Sequence, residues 1–134
     1  MRSSFDYTVL RVVPRVERGE FINAGVVVFC LEQNFLQARV QVDDARLEAL
    51  WPGLDMEAIR RHLEAIPRIC SGDRDAGPIA LLSQRERFHW IVSPRSTMIQ
   101  PSPVHSGICE SPLESLANLS RLFLEIPASN VVCR

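Results

Sequence analysis

The chain has no lysine. All 15 of its basic residues are arginine, set against 16 acidic residues for a net charge of −1 over 134 residues. A balance so close to neutral supplies no overall field to recruit nucleic acid, and argues against it as a partner. Any anion the protein binds must be gripped by guanidinium forks. Long apolar runs are also missing. None approaches the roughly 20 residues needed to cross a bilayer, and the start, Met1 to Tyr7, lacks the apolar stretch of a secretory signal. The expectation is a cytoplasmic protein with no membrane role. The four cysteines, Cys30, Cys70, Cys109 and Cys133, are scattered and make no C-x-x-C pair. The histidines, His62, His89 and His105, are not at ligand spacing with any cysteine pair, so no zinc or other metal site is expected. A disulfide framework is not expected either. The phosphate-binding loop with its lysine and the G-x-S-x-G nucleophile elbow are both absent, and nothing points to a cofactor.

What remains is an ordinary globular composition, 46% hydrophobic and 23% charged, in the size range of one domain. Residues 1–134 are read as a single unit with a loose tail from 127 to 134. Tyr7–Val13 is rich in β-branched residues and reads as a strand ended by Pro14. Phe21–Leu31 is almost continuously apolar and reads as the central strand, covered on both sides. Phe35–Val42 alternates, with Leu36, Ala38, Val40 and Val42 on one face, and reads as a half-buried strand in a hairpin with its predecessor. Asp43 or Asp44 caps a short helix stopped by Pro52-Gly53. Asp55 caps a second helix carrying Ile59, Leu63 and Ile66, kinked or ended by Pro67. Phe88–Val92 alternates again and reads as a fourth strand; Thr97–Gln100 is a candidate short one. Ser111, Pro112 and Glu114 sign the start of a last helix. The order predicts an α+β fold: a mainly antiparallel sheet of four to five strands with about three helices, packed on one face.

Two polar segments are richer than connecting loops require. In Pro14–Gly25, Arg15 and Arg18 flank Glu17, and Glu20 and Asn23 stand at the mouth of the central strand. The arginines and loop N–H groups suit a phosphate or carboxylate. The plainer reading has Glu20 and Asn23 satisfying loop backbone, with Gly25 in a bulge. In Arg85–Gly107, the candidates are Arg95, Ser96, Ser102 and His105. A Ser102/His105 couple lacks an assignable acidic orienter and makes a poor hydrolase; the plainer reading of His105 is a loop histidine bonded to backbone. The leading expectation is a non-catalytic binding or accessory module in which the Arg15–Asn23 loop and the Arg95–His105 loop form one polar site, with Arg15, Arg95 and His105 in one cleft. The rival is an enzyme or binder acting on an anionic small molecule, with His105 as acid/base and the arginines as clamp. A third possibility is an obligate protein partner or a homodimer, marked by an exposed apolar patch.

The run Y-T-V-L-R-V-V-P-R-V-E-R-G-E-F-I-N-A-G-V-V-V-F-C resembles the opening of a bacterial family catalogued as domain of unknown function 3037. The runs A-I-P-R-I, R-F-H-W-I-V-S-P-R-S-T and Q-P-S-P-V-H-S-G resemble its later blocks, in the same order, so the likeness spans Tyr7 to about Phe123. The resemblance implies a small cytoplasmic bacterial protein with no activity, cofactor or catalytic residue to carry over. It also implies a setting beside kinases of the HipA toxin type, which would suit an accessory or regulatory partner.

Overall fold

The computed structural model describes residues 2–95 and 97–125. Ser96 and the tail expected beyond Pro127 lie outside the described residues. The fold is α+β, built on a five-stranded antiparallel sheet. Strand β1 (Ser3–Val12) runs through its middle. Strand β2 (Ile22–Cys30) pairs along one side of β1, and β3 (Phe35–Val40) pairs with β2. The expected hairpin between them turns at Leu31–Asn34, where Asn34 adopts φ 54°. On its other side, β1 is shared end to end by two short strands. β4 (Ile99–Pro101) pairs with Leu10–Val12, and β5 (His105–Cys109) pairs with Ser3–Tyr7.

A bulge explains why β2 reads as apolar on every residue. Leu10 faces Gly25 while Arg11 faces Asn23, so Ala24 is the extra residue. An inserted residue reverses which positions face which side. Ile22 and Ala24 before the bulge, and Val27 and Phe29 after it, enter one core. Val26, Val28 and Cys30 enter the other. Gly25 beside the bulge has no room for a side chain: a Cβ would lie 3.0 Å from Leu10 Cδ1 and 3.1 Å from the Arg39 carbonyl.

The two cores are covered by different helices, which corrects the expectation of helices on one face. Helix α1 (Asp44–Leu50), α2 (Met56–Ser71) and α3 (Gln84–Val92) supply Leu47, Ile59, Leu63, Ile66, Phe88 and Ile91 to the first core. Helix α4 (Pro112–Leu124) lays Leu116 and Leu124 on the second. A central strand with two apolar sides needs this double cover. Asp43 caps α1 by accepting the Arg46 N–H, Asp55 caps α2 through Ala58, and Ser111 caps α4 through Glu114.

Three local expectations are overturned. Phe88–Val92, expected as a strand, is the second half of α3, and its buried positions are Arg87, Phe88 and Ile91. Their spacing is helical. Ser83 and Glu86 form a reciprocal capping box at its start. Pro67 neither ends nor breaks α2, which runs on to Ser71 and closes on Gly72 at φ 76°. Ile66, Ile69 and Cys70, all buried, hold both sides of the proline in the core. His105 lies in strand β5 rather than in a loop.

Candidate functional site

An apolar groove of about 550 Å³ lies between α2 and the segment joining α3 to β4. On α2 the wall is built by Ala58, Ile59, Ala65, Ile66 and Ile69. These fall at helical spacing, so one stripe of the helix faces both the core and the groove. Facing them are Trp90 from α3 and Thr97, Met98 and Ile99 from the approach to β4. Trp90 and Met98 remain 37% and 39% exposed, so two large apolar side chains meet solvent along one wall.

The polar groups of the groove are few and mostly basic. Arg61 and His62 project from α2 and Arg95 from the opposite wall; the acid is Asp55, whose carboxylate is already engaged in capping α2. Arg95 is fixed rather than free. Its Nη2 donates to the Trp90 carbonyl and, at 3.4 Å, to that of Ile91, while Nε donates to the Ser93 carbonyl at 3.3 Å. The guanidinium carbon stands 4.6 Å above the Trp90 ring. A cation thus closes the C-terminal end of α3, where unpaired carbonyls concentrate negative charge. Partial burial pulls the pKa of Arg95 below its ordinary value. A guanidinium starts so high that it stays charged at neutral pH.

The residues singled out in the sequence are distributed as follows. Val13 donates its N–H to the Met98 carbonyl at 2.6 Å, so the chain entering the Pro14–Phe21 loop runs beside the chain leaving Arg95. The Pro14 loop and the Thr97–Ile99 stretch therefore meet at the Val13 end of β1. Arg15 pairs with Glu17 at 2.6 Å and lies 5.0 Å from the Trp51 ring. Arg18 pairs with Glu20 at 2.7 Å. Each arginine holds its partner's carboxyl below the usual range. Asn23 donates from Nδ2 to the Phe123 carbonyl of α4 at 3.4 Å. Ser102 is buried and bonded to Thr8 and Val9. His105 faces Tyr7 across the β1–β5 pair, ring centroids 5.4 Å apart. Of this set, Arg95 lines the groove; Arg15 and His105 do not. Of the groove's other residues, His62 enters the sequence reading only as a rejected metal ligand and Trp90 only within the Phe88–Val92 strand pattern, while Arg61 and Met98 do not enter it. Ala58 and Ala65, which widen the apolar stripe of α2 beyond Ile59, Leu63 and Ile66, were the available signal.

Among the described residues no group of three or more His, Cys, Asp or Glu could hold a metal ion. None of the described helices is long and apolar enough to cross a membrane.

The architecture defines an α+β domain: an antiparallel sheet sandwiched between three helices and one, with an apolar groove at its α2 edge. The model of a family described as protein of unknown function, DUF3037, matches residues 7–124, and the chain belongs to that family. Neither a curated protein nor a solved structure matches it.

Proposed function

We propose that the protein is a non-catalytic binding module whose groove takes an amphipathic, acidic segment of a partner protein. The observation that carries this reading is the pairing of an apolar trough with a basic rim. The volume lies within the roughly 300–1,000 Å³ of ligand sites, and the lining is apolar with few polar groups. Trp, Met and Arg are the side chains enriched where proteins meet, and here Trp90, Met98 and Arg95 stand together. Arg61, His62 and Arg95 outnumber Asp55, which favours a segment carrying carboxylates. A kinase of the HipA toxin type is the first partner to test, because the family is expected beside such kinases; this part of the reading rests on no residue of the groove.

The test uses Trp90 as reporter in a Trp51→Phe background. Synthetic amphipathic peptides with acidic flanks are expected to change its fluorescence saturably, and peptides of the same apolar pattern with basic flanks are not. Met98→Glu places a carboxylate in the wall and is expected to abolish the response. Equal binding of both peptide sets, or binding that survives Met98→Glu in a folded variant, would overturn the reading. A response to small apolar acids alone would replace the protein segment with a small-molecule ligand.

A further inference from the structure

We infer that Arg11, flanked by Asn23 and Gln100 and backed by Phe21, is a second binding site, for the carboxylate or phosphate group of a ligand. It lies on the α4 side of the sheet, away from the groove. Leu10 and Val12 point into the core under α2, so Arg11 between them points the opposite way.

Arg11 is an arginine in the middle strand of the sheet, and no described residue gives it a counter-ion. It belongs to none of the four ion pairs among the described residues. Its Nε is buried, and is the one buried side-chain polar atom there with no hydrogen-bond partner. Buried polar groups are almost always satisfied, and a charged group left unsatisfied is a destabilising feature that a ligand relieves. The carboxylates of the neighbouring loop are not free to help, since Glu17 is held by Arg15 and Glu20 by Arg18.

The surroundings orient the guanidinium for a ligand. Its central carbon sits 4.2 Å over the Phe21 ring, which is itself 44% exposed. Packing on the ring restrains the fork, whose N–H groups suit paired oxygens. The strand register then places an amide on each side: Arg11 is opposite Asn23 on β2 and opposite Gln100 on β4. These three side chains form one cross-strand row spanning roughly 10 Å, twice the spacing of paired strands. Asn23 spends one N–H on the Phe123 carbonyl and Gln100 one on the Thr97 carbonyl at 2.8 Å. Each keeps a second N–H for the flanks of an acidic group. A fork with an amide on either side is a donor-rich surface, matched by an oxyanion and not by a cation.

The site is tested on the full chain by following the Arg11 Nε–H resonance, together with the backbone amide resonances of residues 11, 23 and 100, which the variants retain, during titration. The probes are inorganic phosphate, acetate, and a short peptide with a free C-terminal carboxylate beside its amidated form. Sodium chloride at matched ionic strength is the reference. A saturable shift with phosphate or acetate is expected, and a response to the free-acid peptide but not its amide would identify a chain terminus as the source of the carboxylate. Arg11→Lys keeps the charge but loses the fork and is expected to weaken binding by about tenfold or more. Phe21→Leu, at an exposed position, is expected to weaken it with the fold intact, and Met98→Glu in the groove is expected to leave it unchanged. No shift beyond the chloride reference would overturn the inference. So would a phosphate response undiminished in Arg11→Lys, or in Phe21→Leu should the lysine variant fail to fold.

Discussion

Arg87 reaches the end of α2 and bonds Cys70 there: its Nη1 donates to the Cys70 carbonyl at 3.1 Å and to the Ile69 carbonyl at the same distance. The side chain is nearly buried, at 9% exposure, and ties α3 to the last turn of α2 below the groove. The Ile69 carbonyl also accepts the Gly72 N–H at 3.1 Å, so it is the Cys70 carbonyl, past the reach of the helix's own donors, that depends on the guanidinium. Arg87→Met is therefore expected to destabilise the fold by about 2–3 kcal/mol, the loss of charge-assisted bonds plus one stranded carbonyl. The midpoint of urea denaturation with an unchanged slope is the measurement. A change below about 0.5 kcal/mol would mean that water replaces the arginine without cost.

Gly72 is coupled to the same arginine. It closes α2 at φ 76°, a conformation that disfavours any side chain, and a Cβ there would stand 3.0 Å from Arg87 Nη1. Gly72→Ala alone is expected to cost about 1–2 kcal/mol. In the Arg87→Met background the cost should shrink toward the backbone part alone, since the crowded nitrogen is gone. A double-mutant cycle with no coupling energy would place the whole penalty in the backbone.

Ser102 sits between Pro101 and Pro103 and mends the seam between β4 and β5. Its hydroxyl accepts the Val9 N–H at 2.9 Å, and its own N–H donates to the Val9 carbonyl at 2.8 Å. Thr8 donates its hydroxyl to the Ser102 carbonyl at 2.8 Å. Without that hydroxyl the Val9 N–H of β1 would lose its acceptor inside the sheet. Ser102→Ala is expected to cost about 1–3 kcal/mol, the range for a buried donor left unpaired. It should also speed hydrogen exchange at the Val9 amide more than at neighbouring amides of β1. Uniform acceleration along the strand would show general loosening instead of one missing acceptor.

How far the fold could be read from the sequence depended on whether its signals were local. The helix starts at Asp43, Asp55 and Ser111 were legible because a cap is a contact within three residues. The strands of the β2–β3 hairpin were legible from composition and alternation. Phe88–Val92 misled because Phe88, Trp90 and Val92 alternate, although Ser83 with Glu86 announced a helix just upstream. β5 escaped because His-Ser-Gly-Ile-Cys has no alternating apolar pattern and depends on pairing with Ser3–Tyr7, about a hundred residues away. The bulge at Ala24 is likewise a property of two strands. The candidate site was less legible still. Arg95 stood out as polar loop chemistry, whereas the groove arises from α2 and the β4 approach meeting in space. Arg11 was passed over inside a strand pattern, since register alone puts it beside Asn23 and Gln100.

Cys70 gives a pH-dependence with a definite sign. Burial pushes its thiol up to about 12, only partly opposed by the Arg87 charge. In the unfolded chain a thiol ionises near pH ~8.5. The folded value is the higher one, so the stability Cys70 confers is complete below about pH 8.5 and is lost as pH rises toward about 12. Across that window the unfolded state has released a proton that the folded state retains. Stability should therefore fall by about 1.4 kcal/mol per pH unit from this group, on top of whatever other groups contribute. Cys70→Ala removes that component alone, so the difference between the two pH profiles isolates it from Tyr7, Cys30 and Cys109. Denaturant unfolding from pH 8 to 11, in reductant, measures both profiles. Parallel profiles would mean that the Cys70 thiol ionises as readily in the folded protein as in the unfolded chain, contrary to its place at 3% exposure beneath Arg87.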